Sequence, residues 1–192
     1  RTVHYPGDVP QRETKIVTAA FSAGLLEPAL ADAVNIVNAE LLLRERGVEL
    51  IEQCSSEKGD FSSLITADVT TDEKTYTAAG TLFGNTLPRL VRLGDYRLEA
   101  YLDGVLLVFT HKDVPGIIGR VGTIFGAHNV NIAQMSVGRG STSPGGGAIG
   151  VLNLDSQPPA AALDDVLAIA DIESARVIEL PAAGDLPAWM VA

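Results

Sequence analysis

The sequence is poor in cysteine and in aromatic residues, and it lacks a long apolar run. Cys54 is the single cysteine, so the chain forms no internal disulfide, which fits the reducing cytosol. We interpret it as a small buried side chain, because no histidine stands near it in sequence to activate it. With 5% aromatic residues, the core has to rest on Val, Leu, Ile and Ala. No apolar stretch approaches the ~20 residues of a membrane span, so we expect a cytoplasmic protein without a membrane partner.

Basic residues are scarce as well. There are 14 Lys and Arg residues against 24 Asp and Glu residues, which gives a net charge of -10. A chain this acidic is repelled by phosphate backbones and anionic lipids, so we expect no nucleic-acid partner. The 192 residues are 46% hydrophobic and 20% charged, which favours a packed core over disorder and leaves room for one domain or two small ones.

The motifs of common active sites are missing. The sequence has no GxGxxG after a predicted strand, no P-loop, no GxSxG and no HExxH. His4, His111 and His128 do not have the spacing of metal ligands. We therefore expect no catalytic residue, no metal and no cofactor in this chain. Its first residues, Arg1-Thr2-Val3, include neither Met nor a signal region, so we expect that it was cut from a longer protein or trimmed.

Residues 1–102 predict an α+β domain with two helices and an antiparallel sheet. The first helix covers 12–27. A second helix begins at Pro28, and an apolar repeat of three to four residues carries it to Gly47, which ends it. Apolar and threonine-rich runs bounded by turn residues predict the strands. These strands are 3–5, 48–54, 62–71, 74–83, 87–91 and 96–102.

Residues 103–181 predict a second domain, and 182–192 form a tail. The order of its elements is βαββαβ, the ferredoxin-like arrangement. The loop at 139–147 is rich in Gly and Ser and is predicted to be mobile. The predicted strands are 105–110, 130–138, 148–154 and 175–180, and the helices open at Pro115 and at Pro158-Pro159, the second turning Leu163, Val166, Leu167 and Ala170 inward.

The turn between the first strand and first helix of this domain carries the clearest candidate site. His111 and Asp113 project from this turn, and Pro115 starts the helix. The N–H groups at a helix N-terminus are unpaired and carry positive partial charge, so they suit a carboxylate. A carboxylate such as that of Asp113 accepts hydrogen bonds from an ammonium group. Together these groups predict a site for a free amino acid.

Glycines recur along the helix that follows this turn. A glycine inside a helix costs about 0.5–1 kcal/mol relative to alanine, so several together need an explanation. The close approach of a ligand or of another backbone is one explanation, and tight packing of the helix on the sheet is the other. The residues alone do not decide between them. The glycines are Gly116, Gly119, Gly122 and Gly126.

Asn131 stands at the start of the second strand of this domain. The first and second strands are expected at opposite ends of the ferredoxin-like sheet order, so a ligand shared by His111 and Asn131 is expected to lie between two copies of the domain. The other interpretation is that Asn129 and Asn131 only form the turn.

A group of basic residues in the first domain is a candidate anion site. Arginine forks match the geometry of phosphates and carboxylates, and a lysine in a second polar loop adds a charge. A solvated face with surface ion pairs is the interpretation we favour. The residues are Lys58, Arg89, Arg92 and Arg97.

Two stretches resemble a known family. The run from His111 to Ile124, followed by 129–133, is similar to the ACT domain that ends D-3-phosphoglycerate dehydrogenases. The stretches 34–48 and 80–84 resemble the intervening domain of the longer members. The long loop at 140–147 and the tail from Ala182 depart from the family pattern.

The resemblance implies a regulatory fragment from serine biosynthesis. In that family the ACT domain binds L-serine and inhibits the enzyme, and the intervening domain uses basic residues, one aligned with Arg89, for an allosteric anion or substrate. The catalytic and NAD-binding domains would be absent from this chain. It would pair with a second copy through its ACT domain, within a higher oligomer of the parent. The effector-contacting positions carry over to His111, Asp113 and Asn131, with Val114, Pro115, Gly116 and Ile132 beside them.

Three other interpretations stay open. One is an ACT module kept only for oligomerisation. Another is the regulatory part of a serine dehydratase, which shares both domain types. The third, an enzyme in its own right, has no supporting motif.

Overall fold

The computed structural model describes residues 2–6, 11–30, 34–55, 61, 63–84, 86–140 and 145–190, with side chains from Thr14 to Gln53 and from 61 onward within these ranges. The chain forms two compact units, Arg1–Thr86 with Asp185–Ala192, and Leu87–Gly184. The boundary between the two units, at 86/87, comes before the predicted domain boundary at 102/103. Because a compact unit need not coincide with a domain of sequence, the predicted domain limits stay a prediction.

The first unit contains one sheet layer and two helices. Its sheet order is β2-β1-β3-β4. The antiparallel arrangement is present between β1 and β3 and between β3 and β4, whereas β1 and β2 pair in parallel. A parallel pair needs a crossover connection, which the two helices provide here. The elements are β1 Thr2–Pro6, α1 Gln11–Leu30, α2 Ala39–Glu45, β2 Ile51–Ser55, β3 Leu64–Thr70 and β4 Thr75–Phe83.

The prediction that a second helix begins at Pro28 is wrong. Pro28 lies in the last turn of α1, and α2 begins only at Ala39. Between them the Asn35 side-chain oxygen accepts hydrogen bonds from the N–H groups of Val37 at 2.9 Å and Asn38 at 3.0 Å. Such side-chain turns compete with helical hydrogen bonds, and the apolar spacing that suggested a helix includes Val37, which is 88% exposed.

The tail returns to the helices of the first unit. Residues Ala188–Met190 form a short 3-10 helix, and the Trp189 Nε1–H donates to Glu27 Oε2 at 3.1 Å. The backbone N–H of Ile36 donates to the Trp189 carbonyl at 3.2 Å. The indole also packs against the cluster of Ala23 and Leu26, so the single tryptophan of the chain completes a core.

The second unit has three layers. Its central sheet has the order β10-β7-β9-β8, with every described pair antiparallel, and the predicted βαββαβ order is confirmed. The expectation that the first and second strands lie at opposite ends of this order is wrong, because β7 is an inner strand between β10 and β9. The elements are β5 Leu87–Leu93, β6 Tyr96–Tyr101, β7 Val105–Lys112, α3 Ile117–Ala127, β8 Ile132–Arg139, β9 Gly147–Leu154, α4 Ala160–Leu167 and β10 Ile172–Glu179.

Helices α3 and α4 cover one face of this sheet. Leu107 and Phe109 from β7 pack with Val121 and Phe125 from α3, and all four are at most 1% exposed. Burying each such side chain contributes about 1.5–3 kcal/mol. On α4 the inward positions are Ala162, Val166 and partly Leu163, whereas Leu167 and Ala170 are exposed, so the prediction that those two face inward is wrong. The helix ends at Leu167, which moves later residues off its helical face.

The β5–β6 hairpin covers the opposite face of the sheet. Ala100 is fully buried against Leu106 and Val151. The N–H of Glu99 also donates to Ser136 Oγ on β8 at 3.1 Å. This packing is why the hairpin belongs to the second compact unit.

Phe109 lies over a residue without a side chain. It pairs across β7 and β9 with Gly150, and a Cβ atom there would overlap the Phe109 ring. Gly150 therefore lets the ring lie flat on the neighbouring strand inside the core.

We expect Gly150→Ala to lower the free energy of unfolding by about 1–3 kcal/mol, the usual cost of overpacking a core. Urea denaturation at fixed protein concentration measures this. Adding Phe109→Leu to Gly150→Ala should cost less than the sum of the two single changes, because the clash is relieved. Simple additivity would contradict the proposed contact.

Candidate functional site

Three neighbouring strands align a row of residues at one end of the second sheet. His111 on β7 and Arg139 on β8 both pair with Ala148 on β9. Directly paired residues point to the same face, here the face that carries α3 and α4. With strands about 4.8 Å apart, the Cα atoms of His111 and Arg139 are roughly 10 Å apart.

A cavity of about 350 Å³ opens at this end of the sheet. It is formed by the turn after β7, the start of α3 and the end of β8. The first group of lining residues was predicted from sequence: His111, Asp113, Val114, Pro115 and Gly116. The second group was not: Ile117, Ile118, Val137 and Arg139.

His111 is held rigidly at the wall of the cavity. It is 3% exposed, and its ring stacks on Phe109 with 5.4 Å between centroids. Its Nδ1 lies 2.7 Å from the Lys112 carbonyl oxygen, so Nδ1 carries the hydrogen and Nε2 is the acceptor in the neutral ring. Nε2 is buried and has no hydrogen-bond partner among the described residues. A buried polar atom without a partner costs about 1–3 kcal/mol.

Asp113 and Arg139, which both line the cavity, form an ion pair. Arg139 Nε lies 2.9 Å from Asp113 Oδ2, and the Asp113 side chain is 16% exposed against 55% for Arg139. The Asp113 N–H donates to the Gly146 carbonyl at 2.8 Å, which ties the turn to the end of the 140–147 loop. Residues 141–144 of that loop lie outside the described residues. The period of two along β8, from Met135 to Arg139, was the sequence signal that could have placed Arg139 on this face of the sheet.

Helix α3 begins at Ile117 and not at Pro115 as predicted. Gly116 precedes it with φ 90°, a left-handed conformation that favours glycine. The Arg120 N–H donates to the Gly116 carbonyl at 3.0 Å, which closes the first helical turn. The N–H groups of 117–119 therefore have no acceptor within the helix, and this positive end lies beside the cavity.

Asn131 and Ile132 lie at the other end of the sheet. Ile132 pairs with Leu154, which also pairs with Val105 at the start of β7. Six residues of extended strand separate that position from His111, a distance of roughly 20 Å. Asn131 Nδ2 donates to Asp155 Oδ2 at 2.7 Å. A single chain therefore does not bring Asn131 to the cavity.

The glycines of α3 face outward. A Cβ atom at Gly119, Gly122 or Gly126 would meet nothing within 4 Å. The interpretation that these glycines pack tightly on the sheet is therefore wrong. That a ligand or another chain approaches these glycines stays a prediction.

The arginines of the candidate anion site meet on the β5–β6 hairpin. Arg92 and Arg97 are directly paired across the two strands, where like charges repel. The Arg89 guanidinium lies 3.9 Å from the centre of the Tyr101 ring, and its Nε lies 3.9 Å from Glu99 Oε1. Lys58 and most of its loop, like the side chain of Cys54, lie outside the described residues. Anion binding at this surface stays a prediction.

A larger cavity of about 470 Å³ in the first unit has a different character. Its charged lining consists of Glu40, Glu49, Glu52 and Arg44, and none of the predicted effector residues is near it. No group of three or more metal-ligating side chains occurs in the part of the chain that the structure describes. Nor is any helix within that part long and apolar enough to cross a bilayer. We assign no function to this cavity.

Comparison with known proteins finds two families along the chain. Residues 2–94 match the model of the D-3-phosphoglycerate dehydrogenase intervening domain, and residues 105–171 match that of the ACT domain. Both matches agree with the resemblance seen in the sequence.

Curated relatives are similar over nearly the whole chain. A D-3-phosphoglycerate dehydrogenase of Bacillus subtilis is 34% identical over 179 residues, covering 93% of this chain and 34% of the relative. The protein of the same name from Archaeoglobus fulgidus is 35% identical over 174 residues, covering 91% and 33%. That from Synechocystis is 34% identical over 181 residues, covering 93% and 32%. The chain thus spans about a third of the length of these relatives.

We expect His111→Phe to raise the free energy of unfolding by about 1 kcal/mol, because removing the unpaired Nε2 gains about 1–3 kcal/mol and losing the hydrogen bond from Nδ1 to the Lys112 carbonyl costs about 0.5–1.5 kcal/mol, while the ring that stacks on Phe109 is kept. Chemical denaturation measures the change. His128→Phe is the matched control and should destabilise the protein, since His128 Nε2 lies 2.8 Å from Asp165 Oδ2. A loss of stability at His111 as large as that at His128 would contradict this account.

Proposed function

Because the chain belongs to the D-3-phosphoglycerate dehydrogenase family, as the part that holds its intervening and ACT domains, we propose that it senses L-serine for feedback inhibition of the parent enzyme. One observation carries this proposal. The residue with a buried Nε2 atom that has no hydrogen-bond partner, His111, and the residue that supplies a carboxylate, Asp113, line the same small cavity.

A small amino acid has the groups that this cavity lacks. Its ammonium group would bind the Asp113 carboxylate, and its carboxylate would lie at the positive end of α3. A side-chain hydroxyl would donate to His111 Nε2, which satisfies the buried acceptor. Serine supplies all three groups, and this supports it over larger or wholly apolar amino acids.

The site is completed by a second copy of the chain. Met135 and Val137, on the edge strand β8, are 45% and 46% exposed on the face that carries α3. Ile118 lines the cavity together with Val137 of β8, and it lies one helical turn before Gly122 on α3. The exposed side of β8 and the glycines of α3 therefore belong to one continuous surface. If two β8 strands pair antiparallel about a two-fold axis, the Asn131 end of each lies beside the Arg139 end of the other. Asn131 would then reach the cavity of the second copy.

Serine regulates only through a difference in affinity between two arrangements of the protein. In this proposal serine bridges two ACT domains and stabilises the arrangement in which the cytoplasmic parent enzyme is inhibited. The catalytic groups and the NAD site belong to parts of the parent beyond this region, and this chain contributes no catalytic step. The basic hairpin of the intervening domain is a separate candidate for an anionic metabolite.

A second candidate function is assembly without an effector. The Asp113–Arg139 ion pair favours it, because the carboxylate in the cavity already has a cation. The serine dehydratase alternative loses support, since the matched intervening domain is named for D-3-phosphoglycerate dehydrogenase.

We expect L-serine to bind the dimeric protein in isothermal calorimetry and to raise its midpoint of thermal unfolding, because a ligand of the folded state stabilises it. Asn131→Ala should weaken binding about tenfold or more, the loss of a hydrogen bond to a charged group. Asn129→Gly, at a residue with φ 56° outside the cavity, is the control and should bind normally. No heat and no thermal shift at millimolar serine in the unchanged protein would refute serine sensing.

We expect Met135→Lys to convert the dimer to a monomer in analytical ultracentrifugation, because it places a charge in the proposed interface. Ile178→Lys is the matched control: it lies on the other edge strand, β10, and is 42% exposed against 45% for Met135. A dimer that survives Met135→Lys, or that is lost equally with Ile178→Lys, would place the interface elsewhere.

A further inference from the structure

The ion pair between Asp113 and Arg139 occupies the groups that an amino acid would use. We propose that ligand binding exchanges this pair: the ligand's ammonium group takes the place of Arg139 at Asp113, and the released guanidinium binds the ligand's carboxylate. The cavity then selects zwitterions, and it discriminates against amines and carboxylic acids of the same size. This inference rests on the proposed function and adds the residue that sets its ligand class.

Burial makes Asp113 the fixed member of the pair. Its Oδ2 is buried, whereas the Arg139 side chain is 55% exposed. The backbone of Asp113 is also anchored, through its N–H to the Gly146 carbonyl. Arg139 is the last residue of β8 and has a long, flexible side chain, so it can move while Asp113 stays in place.

A buried carboxylate needs a cation whether or not the site is occupied. Among the nine described residues that line the cavity, Arg139 is the one arginine or lysine and Asp113 the one carboxylate. When an ammonium group replaces Arg139 at Asp113, the guanidinium loses the negative charge that it is paired with. A carboxylate on the same ligand restores it, and arginine binds carboxylates through two parallel hydrogen bonds.

The charge balance sets the selectivity. The empty pair is neutral, and a zwitterion keeps the occupied cavity neutral. An amine without a carboxylate leaves the guanidinium uncompensated, which adds one positive charge. An acid without an amine brings a second negative charge beside Asp113 and cannot replace Arg139. Both cost more beside the largely buried carboxylate of Asp113 than they would in solution.

Calorimetry with three ligands tests the exchange: L-serine, ethanolamine, which lacks the carboxylate, and 3-hydroxypropionate, which lacks the amine. We expect the unchanged protein to bind serine and to bind the other two at least tenfold more weakly. Arg139→Gln should weaken serine binding at least tenfold and strengthen ethanolamine binding, because Asp113 is left without a cation. Arg139→Lys keeps the positive charge but loses the planar group that makes two parallel hydrogen bonds. Its affinity for serine should therefore lie between that of the unchanged protein and that of Arg139→Gln.

Arg120→Gln is the matched control. It makes the same change of charge at an arginine that is 50% exposed and paired with Asp171 at 3.3 Å, outside the cavity lining. It should bind all three ligands as the unchanged protein does.

The outcomes separate the two proposals. Serine binding that is equal or tighter in Arg139→Gln overturns the exchange and leaves serine sensing intact, since the arginine would then only block Asp113. Ethanolamine binding that does not improve in that variant also overturns it. Absence of serine binding in the unchanged protein overturns both proposals. If Arg139→Gln fails to fold, Arg139→Lys decides: serine affinity equal to that of the unchanged protein overturns the exchange.

Discussion

The structure of the candidate site depends on one buried contact, the Phe109 ring lying over Gly150. The ring is fully buried and crosses onto β9 because the residue opposite has no side chain. It gives His111 a flat surface on which to stack, and the Lys112 carbonyl then fixes the imidazole by its Nδ1. The hydrophobic core therefore decides which way a polar side chain points, and Nε2 becomes an acceptor without a partner.

The remaining groups of the site have different degrees of freedom. Asp113 is held by the backbone of the turn, and the left-handed Gly116 sets where α3 begins. Arg139 is long and half-exposed at a strand end. The site thus combines a rigid acceptor in His111, a fixed carboxylate in Asp113 and a movable cation in Arg139. These groups suit a ligand that separates the internal ion pair and forms one ion pair with Asp113 and another with Arg139. A site built in this way gives up stability while it is empty, since a buried polar atom stays unsatisfied.

The strand register is the basis for proposing that the site depends on a second chain. His111 and Arg139 share one end of the sheet, whereas Asn131 lies roughly 20 Å away at the other. The same register leaves Met135 and Val137 exposed on an edge strand, beside a helix whose glycines face open space. A two-fold partner would cover this surface and supply the missing asparagine in one step. In the proposed function, effector binding and assembly are linked, because the second copy completes the site that the effector occupies.

The sequence by itself determined the order of the elements, the strand–helix turn with His111 and Asp113, and the family, because period, turn residues and local motifs are all short-range signals. It misplaced the second helix, where the Asn35 side chain makes a turn that an apolar repeat does not reveal. It did not indicate the parallel pairing of β1 with β2, nor the place of Arg139 opposite Asp113. Those features were decided by tertiary structure, since strand register brings together residues that are far apart in the chain, and no local pattern encodes which strands become neighbours.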